Sequence, residues 1–187
     1  MKAINPKVWG ASGWSLLHRM SFCFKNAKDA IEFYKTLQYL LPCPSCRKNL
    51  EDHFVNLPIP TKSADFPEWL WRLHTRVNYL IDKNNVDAIT FQEVRNKYIY
   101  TCHKIESCEY TFLLAIAETH PGSKNINNNY LYALKKFIKT FIQYSFKDSI
   151  KPDIPNEIFD SRYKLRTWIH KITHTSKDFT EFKECKA

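Results

Sequence analysis

"LLPCPSCRKNLEDHF", residues 40–54, places Pro42 before Cys43 and Pro44 after it, with Cys46 two residues further on. A proline ends a helix well and also fits the first turn of the next. The stretch therefore reads as a helix stop, a cysteine at a helix start, and a helix through His53 and Phe54 that ends before Pro58. Two helices joined this tightly set an all-α reading for the chain. On this spacing alone, Cys43 and Cys46 divide between thiol–disulfide exchange and a zinc knuckle, with a plain structural pair as the lesser reading. A helix N-terminus lowers a thiol pKa, and Arg47 and Lys48 add positive charge nearby. An exchanging pair would expose Cys43 as the outer sulfur and keep Cys46 as the inner one.

The composition agrees with a helical chain. Of 187 residues, 44% are apolar and 15% aromatic, enough to bury a core without staples. The chain has only 3 glycines, which argues against a turn-rich β protein and against a Gly-rich phosphate loop. The formal charge is +9, but the lysines are spread along the chain. They read as a solvated basic surface rather than a nucleic-acid footprint. The longest apolar run, in "YTFLLAIA" (110–117), is too short to span a bilayer, and residues 1–9 do not read as a signal peptide. A soluble, cytosolic protein is expected. Its 6 cysteines there suggest metal or redox chemistry rather than a disulfide scaffold.

Working outward, Asn5 and Pro6 start a helix through Trp14 and His18. A second helix fits 27–41, with Ile31, Tyr34, Leu37 and Leu41 on one stripe. Asp65 and Glu68 form an expected capping box for a fourth, whose stripe is Phe66, Leu70, Leu73, Val77 and Leu80. Thr90 and Glu93 cap a fifth that reaches about Thr101. Beyond the turn "TCHKIESC" (101–108), helices are expected over 109–119, from 127 to 146 with Tyr130, Leu134, Phe137, Phe141 and Ile142 inward, and over about 156–172. The boundary expected is a bundle over 1–105 and a helical extension over 106–187.

Two helices carry a similar device. Trp14 and His18 are four apart, and Trp71, His74 and Asn78 share a face. Aromatic, imidazole and amide groups together suit a flat ligand that also forms hydrogen bonds.

"WGASGWSLLH" (9–18), "LPCPSCRKNLEDHF" (41–54) and "WLWRLHTRVNYLIDK" (69–83) occur in the order found in the Erv/ALR flavin-linked sulfhydryl oxidases. They resemble that family's WGxxxWxxLH opening, redox helix and HNxVNxxLxK flavin helix. The likeness is greatest to the versions encoded by large cytoplasmic DNA viruses. The resemblance covers residues 5–105 and implies a four-helix bundle with a fifth short helix that holds FAD. It also implies a homodimer in the host cytoplasm, at the viral assembly site, or in the virion. Carried over by motif, Trp9, Gly10, Trp14, His18, His74, Val77, Asn78 and Lys83 would bind FAD. Tyr39 and Arg76 join them by position. Thr75 stands where the family usually has asparagine. The implied reaction starts when a protein thiol attacks Cys43. Electrons then pass through Cys46 to FAD and on to oxygen, giving hydrogen peroxide.

Cys102 and Cys108 bracket "HKIES" and read as a structural disulfide or a relay pair; Cys185 lies near the C-terminus, and Cys23 reads as a buried thiol. The competing function is a zinc-stabilised basic helical module using Cys43, Cys46, Cys102 and either Cys108 or His103. A third is an inactive subunit kept for assembly.

Overall fold

The computed structural model describes residues 3–82, 89–101 and 103–175. The described residues form α-helices and short 3-10 turns, with no strand. The α-helices are α1 (Pro6–Cys23), α2 (Ala27–Leu40), α3 (Pro44–Asn56), α4 (Phe66–Ile81), α5 (Phe91–Tyr98), α6 (Tyr110–Glu118), α7 (Asn128–Ser145) and α8 (Arg162–Thr175). The all-α expectation holds, and α1 to α4 with the short α5 make the expected bundle.

Helix α1 is central. Asn5 caps it by accepting the Lys7 N–H at 3.0 Å, with Pro6 in the first turn. It contacts α4, α5, α6 and α7, and nearly every residue from Ser12 to Cys23 is buried. Small residues at 10–13 let neighbours approach. A Cβ on Gly13 would lie 3.2 Å from the Phe112 ring and 3.3 Å from the Trp9 ring, so α6 crosses α1 closely enough that a larger residue there would push these rings by a few tenths of an ångström.

Helices of the 106–187 segment share the core of the bundle. Phe137 of α7 stacks on Phe33 of α2 with centroids 4.7 Å apart, and Phe112 of α6 meets Phe137 edge-on. The inward stripe expected on α7 is buried at all five positions. The start of α2 is tied to the end of α7: Tyr144 donates to Asp29 at 2.6 Å and accepts from Asn26 at 3.1 Å. Lys136 pairs with Glu32 across the same helices.

Three local expectations are corrected. Asp65 makes no capping bond, because it closes a 3-10 turn (Ser63–Asp65) in helical geometry, φ −88° and ψ −12°, rather than the extended geometry of a cap. Leu80 is exposed, so the buried stripe of α4 stops short of the helix's end. The last expected helix is broken: Ser161 is extended, and its hydroxyl accepts the Lys164 N–H at 3.2 Å, which starts α8 afresh after a 3-10 turn at Asn156–Asp160.

Candidate active site

Cys43 and Cys46 are bonded to each other, with Cα atoms 5.2 Å apart. Cys43 is the N-cap of α3. Its sulfur accepts the Cys46 N–H at 3.2 Å and lies 3.1 Å from the Ser45 hydroxyl. An anion there would meet the positive end of the helix. The Arg47 guanidinium, one turn further on, donates to the Tyr39 and Leu41 carbonyls at 3.3 Å each. The expected exposure is reversed. Cys43 is 7% exposed and lies in the core, while Cys46 is half-buried. The extended entry segment accounts for part of this, since the Ile4 N–H donates to the Pro42 carbonyl at 2.8 Å.

Trp14, His18 and His74 are brought together from α1 and α4. Trp14 stacks on His74 with centroids 4.0 Å apart at 13°. His18 Nε2 and His74 Nδ1 are 3.1 Å apart, so one ring donates to the other. Burial lowers the His18 pKa to about 3, helped by His74 and Lys97, and burial lowers His74 to about 4. Both rings are neutral at physiological pH. His18 Nδ1 is buried with no hydrogen-bond partner among the described residues. A buried imidazole nitrogen left this way asks for a partner.

The other expected residues are scattered around this cluster. Gly10 is half-buried, and a Cβ added there would meet nothing within 4 Å. Val77 is half-buried against the core, and Asn78, one turn beyond His74, is exposed. Trp9 is not with the histidines: its ring lies on Phe112, and its Nε1 donates to Ile4 at 3.2 Å. Tyr39 is exposed on α2. Arg76 donates to His53 Nδ1 at 3.3 Å, joining α4 to the helix that carries the cysteines. Trp71 turns away from His74 and donates to the Ile89 carbonyl at 2.6 Å. Lys83, Cys102 and Cys185 lie outside the described residues. Cys108 is disulfide-bonded.

Sequence reading missed Tyr98. It stacks on His18 with centroids 5.9 Å apart at 14°, and its hydroxyl donates to Ser15 at 3.2 Å. Its signal was present in the Thr90 capping box. Both reciprocal bonds form, fixing the phase of α5 and turning Tyr98 inward four residues after buried Val94.

Two neutral histidines, a stacked indole, an open glycine and one unpartnered buried nitrogen fit a flat heterocycle with hydrogen-bonding edges. A family model described as Erv1 / Alr family matches residues 11–99. That segment carries most of α1, all of α2 to α5 and both cysteines of the bonded pair. An African swine fever virus protein named FAD-linked sulfhydryl oxidase is 28% identical over 109 residues, covering 54% of this chain and 87% of that protein. A protein of Acanthamoeba polyphaga mimivirus, named as a probable FAD-linked sulfhydryl oxidase, is 27% identical over 90 residues, 43% of this chain and 63% of its own length. No solved structure is a significant match to the chain. The zinc reading loses donors. The two thiolates it needs at Cys43 and Cys46 are spent on each other, and His103 Nδ1 lies 2.9 Å from the Tyr144 carbonyl. Among the described residues no helix is long and apolar enough to cross a membrane.

Proposed function

We propose that the protein is an FAD-dependent thiol oxidase that makes disulfides in protein substrates through Cys43 and Cys46. The observation that carries this reading is the bonded Cys43–Cys46 pair at the N-terminus of α3, inside the segment that matches the Erv1 / Alr family. Trp14, His18, His74, Val77 and Asn78, with Gly10, would hold FAD. Trp9, Tyr39, Arg76 and Lys83 belong to the same proposed set by motif or position. When bound, the flavin supplies a two-electron acceptor that oxygen re-oxidises with release of hydrogen peroxide.

The chain's own part is thiol exchange. A substrate thiolate attacks Cys43, flanked by exposed Pro44 and Ser45, and forms a mixed disulfide as Cys46 leaves as a thiolate. A second substrate thiolate attacks the substrate sulfur, so the substrate leaves oxidised and both cysteines are left reduced. The Cys46 N–H and the Ser45 hydroxyl, placed as they are on the Cys43 sulfur, hold its negative charge. The neutral His18–His74 pair brings no charge to the ligand pocket, and each ring keeps one nitrogen edge for hydrogen bonding. The balance is two thiols and one oxygen giving one disulfide and one hydrogen peroxide.

The reading includes oxygen as the final acceptor, a homodimer, and a place in the host cytoplasm at the viral assembly site or in the virion. The viral origin of the relatives supports that location. It also puts the FAD-binding residues within a 1–105 unit that shares its core with the 106–187 extension, and takes Cys102 and Cys108 as the second disulfide.

The test is a visible spectrum of the purified protein with oxygen uptake on adding dithiothreitol. A bound-flavin spectrum and oxygen consumption are expected. Cys46→Ser should keep the flavin and abolish turnover, because it removes the disulfide that the substrate thiolate attacks. A protein that binds zinc and no flavin, or a fully active Cys46→Ser variant, overturns the reading.

A further inference from the structure

Glu109 lies beyond the segment that matches the Erv1/Alr family, yet it reaches into α1 beside His18. Its side chain is fully buried, as is that of Arg19. Arg19 Nε donates to both Glu109 oxygens at 2.9 Å. Ser15 donates to Oε1 at 2.7 Å, and the Glu106 N–H donates to Oε2 at 3.1 Å. The rest of the guanidinium is also engaged, with Nη2 on Glu106 at 2.8 Å and Nη1 on the Thr101 carbonyl.

This cluster surrounds the histidine. Ser15 and Arg19 flank His18 on α1, one turn before it and one residue after. Tyr98 donates to Ser15, lies against the His18 ring, and carries the Arg19 guanidinium over its own ring at 5.4 Å. The neighbouring Cys108 is disulfide-bonded, which anchors residues 107–109 where they stand. A buried ion pair is a poor device for stability alone, because apolar side chains of similar volume often do as well. What an apolar pair could not do is orient a hydroxyl and a ring at the same time.

We propose that Glu109 is a positioning residue for the ligand pocket: through Ser15, Arg19 and Tyr98 it holds the His18 ring so that Nε2 is spent on His74 and Nδ1 is left for the flavin. This rests on the FAD reading given above. It makes the extension part of the binding site without touching the ligand.

The experiment compares wild type with the charge-free double variant Arg19→Met/Glu109→Leu and with Tyr98→Phe. Three readouts are taken: thermal midpoint, FAD dissociation constant by titration of flavin-free protein, and the ring nitrogen-15 signals of His18 in flavin-free protein, assigned by their loss in His18→Gln. The double variant should fold with little change in midpoint, since no charge is left buried alone. Its FAD dissociation constant should rise about tenfold, the worth of one well-placed hydrogen bond. The His18 ring signals should shift in both variants. Unchanged FAD affinity and unchanged His18 signals in the folded double variant overturn the proposal. If the double variant does not fold, Tyr98→Phe, which removes one hydroxyl only, decides by the same two readouts. If wild type takes up no FAD, the oxidase reading fails, and the His18 signals still decide whether Glu109 positions the ring.

Discussion

His18 is a neutral imidazole in a place where a charge would cost most. The unfolded chain would protonate it near the ordinary value of 6.5, while the folded chain resists until about 3, and His74 resists until about 4. Between those values the unfolded state binds more protons, so stability rises with pH there. The contribution is fully present above about 6.5 and is lost as pH falls towards 4 and then 3. A tenfold difference in proton affinity between the two states is worth about 1.4 kcal/mol, so the loss is on the order of several kcal/mol across that window. Thermal midpoints should be flat above pH 6.5 and fall steadily below it. A midpoint that holds to pH 4 would show that the two rings are not buried as described. His74→Ala should shrink the acid loss and weaken FAD retention, because it removes the stack on Trp14 and the partner of His18 Nε2. Unchanged flavin content in that variant would take His74 out of the pocket.

At the scale of the helix, two capping boxes of the same pattern behave differently. Thr90 accepts the Glu93 N–H at 3.3 Å, and Glu93 accepts the Thr90 N–H at 2.7 Å, while Asp65 caps nothing. Thr90→Ala should therefore cost about 1 kcal/mol, whereas Asp65→Ala should stay within roughly 0.5 kcal/mol. Equal losses in urea unfolding would show that the difference is not one of capping. The pattern was legible at both sites, but its realisation was not. The 3-10 turn ahead of α4 already places Asp65 in helical geometry, and that turn follows from how 58–65 is led back to α4. The break at Ser161 has a readable cause in hindsight, because serine offers its own oxygen to the backbone three residues on.

Over the whole molecule, the helices after residue 105 complete a core rather than ornament one. Leu16, Phe33 and Phe112 are each 0% exposed, and the last of these comes from α6. Phe137→Ala should cost about 3–5 kcal/mol, since it empties the contact between α7 and both α2 and α6. A fragment ending at residue 105 should lose helical signal or aggregate, because it uncovers the α1 and α2 faces that α6 and α7 now cover. A soluble, helical, flavin-binding 1–105 fragment would show that the bundle stands alone.

The helices, their order and the Trp14, His18 and His74 candidates were set by the chain's own pattern: prolines at helix ends, apolar residues at helical spacing, and motifs that each lie within one helix. These are local facts, and local physics decides them. Tertiary structure alone decided that Trp9 and Trp71 turn away from the histidines, that Cys43 is the more buried sulfur, and that Tyr98 and Glu109 close around His18. Each depends on which residue of a distant helix arrives at the same place. Spacing along the chain specifies a face, and only packing specifies what that face meets.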